Sequence, residues 1–246
     1  MEYNMLRTFM WYFLGWAGLI LSYPMLLRLK YYELRGRTDL KDRLANRGSQ
    51  RIARYLFRLT GSTVTITGLE NIPDQGAVLF VSNHQGHMDS LIIHGYIPKP
   101  KGFISIVEVL KYPIIRTWMK QIHCVFIDRN NARQSSGCIN QAIEYLKQGH
   151  SMVVFPEGHL NDGAETACFQ RGWLRLATKS GAPIVPVSIS GSYKAFAKDG
   201  SRVASAQVDC VISKPIHPEK LKKADEVEFI DKLRTEIQSH IRSQAV

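Results

Sequence analysis

Acidic side chains are in short supply in this 246-residue chain: 21 Asp and Glu stand against 32 Lys and Arg, for a formal net charge of +11. Cysteine is scarcer still. Cys124, Cys138, Cys168 and Cys210 lie far apart, with no C-x-x-C pair. That spacing argues against a disulfide framework and for reduced thiols in a cytosolic setting. No H-E-x-x-H, no G-x-S-x-G elbow, no internal repeat and no low-complexity tract occurs. The usual signatures of a zinc peptidase and of a hydrolase serine are therefore missing. Hydrophobic residues make up 45% of the chain, enough for a folded core and too many for a disordered protein. Its length allows one sizeable domain plus an appendage.

The excess charge is unevenly placed. Residues 1–61 hold 11 Lys and Arg against 4 Asp and Glu, most of the net +11. A basic segment can mark nucleic acid or an anionic membrane, and its neighbour decides between them. Phe9–Leu27, FMWYFLGWAGLILSYPMLL, runs 19 residues without a charge. As a helix it would reach roughly 28 Å at about 1.5 Å per residue, close to a ~30 Å hydrocarbon core. Arg28, Lys30, Arg35 and Arg37 follow it. This pattern predicts membrane attachment and argues against nucleic acid. Pro24 should kink the helix near its end, and Trp11, Tyr12 and Trp16 suit the interface. The basic charge follows the apolar run and no small-residue cleavage pattern closes it, so a secretory signal is not expected. If the helix spans, the Lys/Arg bias places the rest of the chain in the cytoplasm.

Thr38–Thr60 reads as a second helix with an apolar stripe through Leu40, Leu44, Ile52, Tyr55, Leu56 and Leu59. Five arginines fill much of its other face, so it either lies on anionic lipid or packs on the domain with a solvated side. Residue 61 closes this N-terminal module (1–61), and residues 62–246 are expected to form the main domain. There the expected strands are Thr63–Thr67, Ala77–Val81, Phe103–Ile106, Cys124–Ile127, Met152–Phe155, Ile184–Ile189 and Val208–Ile212. Helical segments are expected near Pro113–Gln121, Ala132–Gln148, Gly172–Lys179 and Ala224–Arg242. The alternation predicts an α/β fold with a largely parallel, roughly seven-stranded sheet flanked by helices. AVLFV, MVVF and IVPVSI are continuously apolar, as strands buried on both faces should be.

Ligands in open α/β sheets bind beyond the carboxyl ends of strands. Ala77–Val81 runs straight into SNHQGHMDS, residues 82–90. His84 stands at that strand end and Asp89 follows in H-x-x-x-x-D spacing. A turn between them can fold the carboxylate onto one ring nitrogen and leave the other as a base. Ser82 and Ser90 are possible nucleophiles, though neither has an elbow context. The alternative is that a substrate hydroxyl attacks and the enzyme supplies base and positioning. A metal reading through His84 and His87, with Asp89 or His94, rests on H-x-x-H alone and is weak. The second strand end is MVVFPEGHLN, which puts Glu157 near His84, with Gly158 free to adopt positive φ. The third, CVFIDRNN, offers Arg129 as a phosphate or carboxylate clamp, or as one half of an ordinary surface ion pair.

Taken in order, H-x-x-x-x-D, I-D-R, F-P-E-G and V-P-V-S-I resemble the glycerolipid acyltransferase family, specifically its bacterial lysophosphatidate acyltransferases. The likeness runs from about Thr63 to Pro215 through VSNHQGHMD, KYPIIRTWMKQIHCVFIDRN, FPEG and PIVPVSISGSYK. The resemblance implies that His84 deprotonates the free hydroxyl of a lysophospholipid and that Asp89 orients it. The acyl donor would be acyl-CoA or acyl carrier protein, acting as co-substrate. No metal, no other cofactor and no covalent acyl-enzyme are implied. Arg129, Glu157 and Gly158 fall on the acceptor side, joined by Asn83, His159 and Arg171, while His87 becomes pocket lining. The expected location is the cell membrane, with the catalytic domain on the cytoplasmic side.

Four positions depart from the family pattern. His159 and Leu160 stand where F-P-E-G is commonly followed by threonine and arginine. Ile106 stands where a lysine commonly precedes V-E-L. Gln170 replaces the lysine of F-K-x-G, with Arg171 beside it. Three expected cations are thus neutral, which opens a second reading, a less anionic lyso-lipid acceptor. A catalytically silent lipid-binding relative is a third.

Overall fold

The computed structural model describes residues 5–161, 166–197, 200–218 and 223–241. Seven strands form one sheet: β1 Thr63–Thr67, β2 Leu79–Ser82, β3 Lys101–Ile106, β4 Val125–Ile127, β5 Ser151–Val154, β6 Ile184–Ser190 and β7 Gln207–Ile212. Their lateral order is β1-β7-β6-β2-β5-β3-β4. Every neighbouring pair is parallel except β6 and β7. The largely parallel sheet expected above is present, with one antiparallel seam. β2, β5 and β6 are buried at every position, because helices cover both faces there. Edge strand β1 instead alternates exposed and half-buried residues.

The helices are α1 Met5–Leu21, α2 Tyr23–Leu34, α3 Thr38–Arg58, α4 Asp89–Tyr96, α5 Pro113–Gln121, α6 Ala132–Lys147, α7 Leu174–Ser180 and α8 Glu226–Ser239. The last expected helix ran to Arg242, which lies outside the described residues. Alternate side chains of β2 feed two cores, as the two-residue period of a strand requires. Val78, just before β2, and Phe80 join Phe57 of α3, Ile92 and Ile93 of α4 and Trp118 of α5. Leu79 and Val81 join Ile143 and Leu146 of α6, Leu176 of α7, and Leu233 and Ile237 of α8. Each such side chain, fully buried, contributes about 1.5–3 kcal/mol.

The apolar N-terminal segment is two helices rather than one kinked helix. The break falls at Ser22, and Pro24 sits in the first turn of α2, where its missing N–H costs nothing. Ser22 Oγ donates to Leu19 O at 2.6 Å and accepts Trp118 Nε1–H at 2.9 Å, which fixes the corner onto α5. α1 lies against the body of the protein. Trp11 Nε1 donates to Leu56 O and Tyr55 Oη donates to Leu14 O, both at 2.9 Å. Val203 N–H donates to Thr8 Oγ1 at 3.0 Å.

Leu26 and Leu29 of α2 and Ala45 and Phe57 of α3 belong to the same apolar cluster as Val78 and Phe80. The boundary near residue 61 therefore marks a change of element type and not a gap in packing. α3 packs on the domain through its apolar side.

Candidate active site

β2 delivers His84 to the carboxyl edge of the sheet, and α4 opens at Asp89. The Asp89 N–H donates to Gly86 O at 3.1 Å, and the Gly86 N–H returns to Asp89 Oδ2 at 2.9 Å. This closed turn is what five-residue spacing produces. It sets Asp89 Oδ2 2.8 Å from His84 Nδ1. Asp89 is fully buried in the first turn of a helix, where the N-terminal dipole favours a carboxylate. The His84 side chain keeps 21% exposure and stacks on Phe155 at 4.0 Å between centroids. With Nδ1–H donated to Asp89, Nε2 carries a free lone pair. Phe155 was not foreseen as part of the site, although the F of F-P-E-G was its signal.

Glu157 is buried, and the turn carrying it places both of its oxygens on backbone donors. His84 N–H donates to Oε1 at 2.7 Å, and Ala167 N–H donates to Oε2 at 2.9 Å. Burial pushes its pKa up, while the two N–H donors and nearby His84 pull the other way. The carboxylate was expected on the acceptor. It sits instead inside the protein, tying the end of β5 to the end of β2.

Asn83 departs from expectation in the same way. It is fully buried. Its amide donates to Ile189 O at 2.9 Å and accepts Ile189 N–H at 2.8 Å, so both functions are spent on β6. Gln85 continues the lacing by accepting Gly191 N–H at 3.0 Å. Ser82 Oγ donates to the Asn83 carbonyl. Among the described residues, neither Ser82 nor Ser90 bonds to the His84 ring.

Gly158 adopts φ +74°, and a Cβ there would collide with the Gln170 side-chain amide. The Gln170 N–H donates to Pro156 O at 2.9 Å. The structure thus brings Gln170 directly over the Pro-Glu-Gly turn. His159 and Arg171 are exposed and Leu160 is half-buried nearby in sequence. Arg129 is also exposed, just past edge strand β4. Three strand positions separate β4 from β2, roughly 14 Å at ~4.8 Å per strand, so Arg129 is brought to the same sheet edge but not to His84 itself. His87 is exposed, with its ring edge-on to Phe196. Among the described residues, His84, His87 and Asp89 do not form a group at metal-ligand spacing.

Comparison with known proteins identifies the family. The model of the Acyltransferase family matches residues 63–190. A Mycoplasma pneumoniae protein named "Probable 1-acyl-sn-glycerol-3-phosphate acyltransferase" is 32% identical over 71% of this chain and 70% of its own length. The 1-acyl-sn-glycerol-3-phosphate acyltransferase of Borreliella burgdorferi is 30% identical over 57% of this chain and 56% of its own. The crystal structure of the 1-acyl-sn-glycerophosphate acyltransferase PlsC from Thermotoga maritima superposes with a TM-score of 0.84. It is 25% identical, over 96% of this chain and 95% of that one. A buried carboxylate on a strand-end histidine, in a chain matched by that family model from β1 to β6, makes this protein a member of the acyltransferase family, an O-acyltransferase.

Proposed function

We propose that the protein transfers a fatty acyl group from a thioester donor, acyl-CoA or acyl carrier protein, to the free hydroxyl of 1-acyl-glycerol-3-phosphate, giving phosphatidic acid. The names of its relatives supply the acceptor. The observation that carries the mechanism is Asp89 Oδ2 held 2.8 Å from His84 Nδ1 beneath a partly open ring.

His84 Nε2 takes the proton of the acceptor hydroxyl as its oxygen attacks the thioester carbonyl. The tetrahedral intermediate collapses, the carbon–sulfur bond breaks, and the imidazolium returns the proton to the departing thiolate. Asp89 stays ionised and stabilises the imidazolium. A thioester is already activated, so base catalysis and positioning suffice for the chemistry. Asn83 and Glu157 act on the backbone that carries His84, as positioning residues. Arg129 and Arg171 are exposed cations available to the acceptor phosphate.

The site works at a membrane surface. Residues 5–34 are long and apolar enough to cross a bilayer. However, α1 is bonded to the domain from Thr8 to Ser22. Met5, Phe9, Phe13, Leu21 and Leu34 are each more than 60% exposed. An apolar outer face on a docked helix fits burial in the interface. The basic residues after the apolar run are consistent with a catalytic domain on the cytoplasmic side.

Gln170 over Gly158, with Leu160 close in sequence, favours a second reading in which the acceptor is less anionic. Purified enzyme assayed against lysophosphatidate and against zwitterionic and neutral lyso-lipids separates the two. Lysophosphatidate turnover that dominates supports the first. Robust turnover of another acceptor without it overturns the first in favour of the second. Loss of turnover in His84→Ala distinguishes both from a silent lipid-binding protein.

A further inference from the structure

The opposite end of the sheet carries a second cluster of chemistry-bearing side chains. His123 lies between α5 and β4, His150 immediately precedes β5, and Asp42 sits on α3. β4 and β5 flank β3, so a strand intervenes between the two histidines. They meet because of Gly102. A Cβ at that position would stand 2.6 Å from the backbone oxygens of Ile122 and His123, so only a glycine lets this turn cross the start of β3. His123 takes φ +61°, the one positive φ at a non-glycine among the described residues. Such strain is held where the surroundings over-determine it. The two rings then stack at 3.9 Å between centroids, with Tyr145 edge-on to both.

The polar atoms of this cluster are poorly used. Among the described residues, no ring nitrogen of His123 or His150 has a hydrogen bond to protein. Asp42 Oδ1 is buried without one. Lys41 Nζ stands 3.2 Å from that oxygen, close enough to neutralise it but outside hydrogen-bond geometry. One ligand atom from each of the three residues lies within 4.8 Å of the others. Ligands about 2.0–2.1 Å from a tetrahedral ion lie roughly 3.4 Å apart, so the site closes when the stacked rings turn their nitrogens toward a shared point. Burial, and then His150, push the His123 pKa down to about 4, which keeps its lone pair available at neutral pH.

We propose that Asp42, His123 and His150 bind one divalent late transition metal, zinc foremost. Two imidazoles and one carboxylate suit zinc, cobalt or nickel, whereas calcium and magnesium want all-oxygen shells. Water completes the coordination. The site is distinct from the catalytic one. Glu157 lies seven residues beyond His150 along β5 and its turn, roughly 20 Å at ~3.3 Å per residue. A bound ion clips α3, and with it the N-terminal helices, to the base of the sheet. It is a structural clamp and takes no part in acyl transfer.

The test uses the full chain in detergent, with Zn2+ titrated against a chromophoric chelator and Co2+ read by its visible absorption. One ion per chain is expected. His150→Gln should weaken binding at least ~10-fold, as loss of even an outer partner does. His123→Asn should do the same while tolerating the left-handed backbone. Lys41→Gln should tighten binding, because the competing ammonium is gone. This variant keeps the proposal open to refutation even if the histidine variants fold poorly. Zn2+ should raise the melting temperature of the wild type and not that of His150→Gln. His84→Ala should bind like the wild type. No stoichiometric binding, equal affinity in wild type and His150→Gln, no gain in Lys41→Gln, or loss of binding in His84→Ala would each overturn it.

Discussion

The carboxylate of Glu157, on the turn after β5, accepts the backbone N–H of His84, on the end of β2, at 2.7 Å. One strand end thereby holds the main chain of the proposed base on its neighbour. Its other oxygen takes Ala167 N–H, so removing the carboxylate strands two donors. An unpaired buried N–H costs about 1–3 kcal/mol. Glu157→Ala should lose that order of stability or more in urea unfolding, together with most turnover. Glu157→Gln keeps one carbonyl acceptor and should fall between it and the wild type. Equal stability of all three proteins would show that the tie carries no weight.

Asp89→Asn preserves shape but removes the charge, and an amide nitrogen at the Oδ2 position faces both His84 Nδ1 and the Gly86 N–H. The wrong tautomer then leaves Nε2 without its lone pair. A comparable replacement in a serine protease costs about 10⁴-fold in kcat. Steady-state kinetics on Asp89→Asn should show a fall of roughly 10³–10⁴ in kcat with KM little changed. A KM effect alone would remove Asp89 from the mechanism.

Phe9 and Phe13 face outward on α1 with 67% and 63% exposure and stack on one another. Each buried phenyl is worth about 1.5–3 kcal/mol. The double variant Phe9→Glu, Phe13→Glu should keep its far-ultraviolet circular dichroism. Its binding to anionic vesicles in flotation assays should drop at least ~10-fold. Unchanged flotation would place the membrane contact elsewhere.

His94 links α4 to α3 through Nε2 and Ser49 Oγ at 2.8 Å, and its Nδ1 is buried without a partner. Burial, followed by the charges of Lys101 and Arg54, pushes its pKa well below the ordinary value. The unfolded chain therefore binds a proton below about pH 6.5 while the folded chain does not. Stability should fall on acidification through that value, by up to about 1.4 kcal/mol per pH unit from this group. His94→Gln should flatten the melting temperature between about pH 7 and pH 5. An unchanged slope would assign the acid sensitivity to other groups.

Much of the fold was legible because the strands are short and continuously apolar. β1 and α5 begin and end where periodicity and the Gly61 and Pro113 signals put them. α4 was harder, since DSLIIHGY carries no helical period over its eight residues. The antiparallel placement of β7 has no local signature at all. It depends on β7 inserting between β6, which it meets antiparallel, and β1, which it meets parallel.

The His84–Asp89 contact follows from sequence, because five residues and one turn suffice to fold Asp89 onto His84. Local spacing also determined the apolar run of α1 and α2 and the glycine at position 158. Tertiary structure alone decided what Asn83 and Glu157 do. Their side chains look like substrate ligands in one dimension, but β6 and the Ala167 segment, both remote in sequence, bring backbone donors and acceptors to them. It alone anchored the Pro24-marked break of the N-terminal helix at Ser22, where Trp118 supplies a hydrogen bond from 96 residues away. It alone brought Asp42, His123 and His150 together, because that meeting requires β3 to present a residue without a side chain at the crossing. Hydrogen bonds within one turn can be counted from spacing, whereas those that bridge strands depend on sheet order, which no single segment encodes.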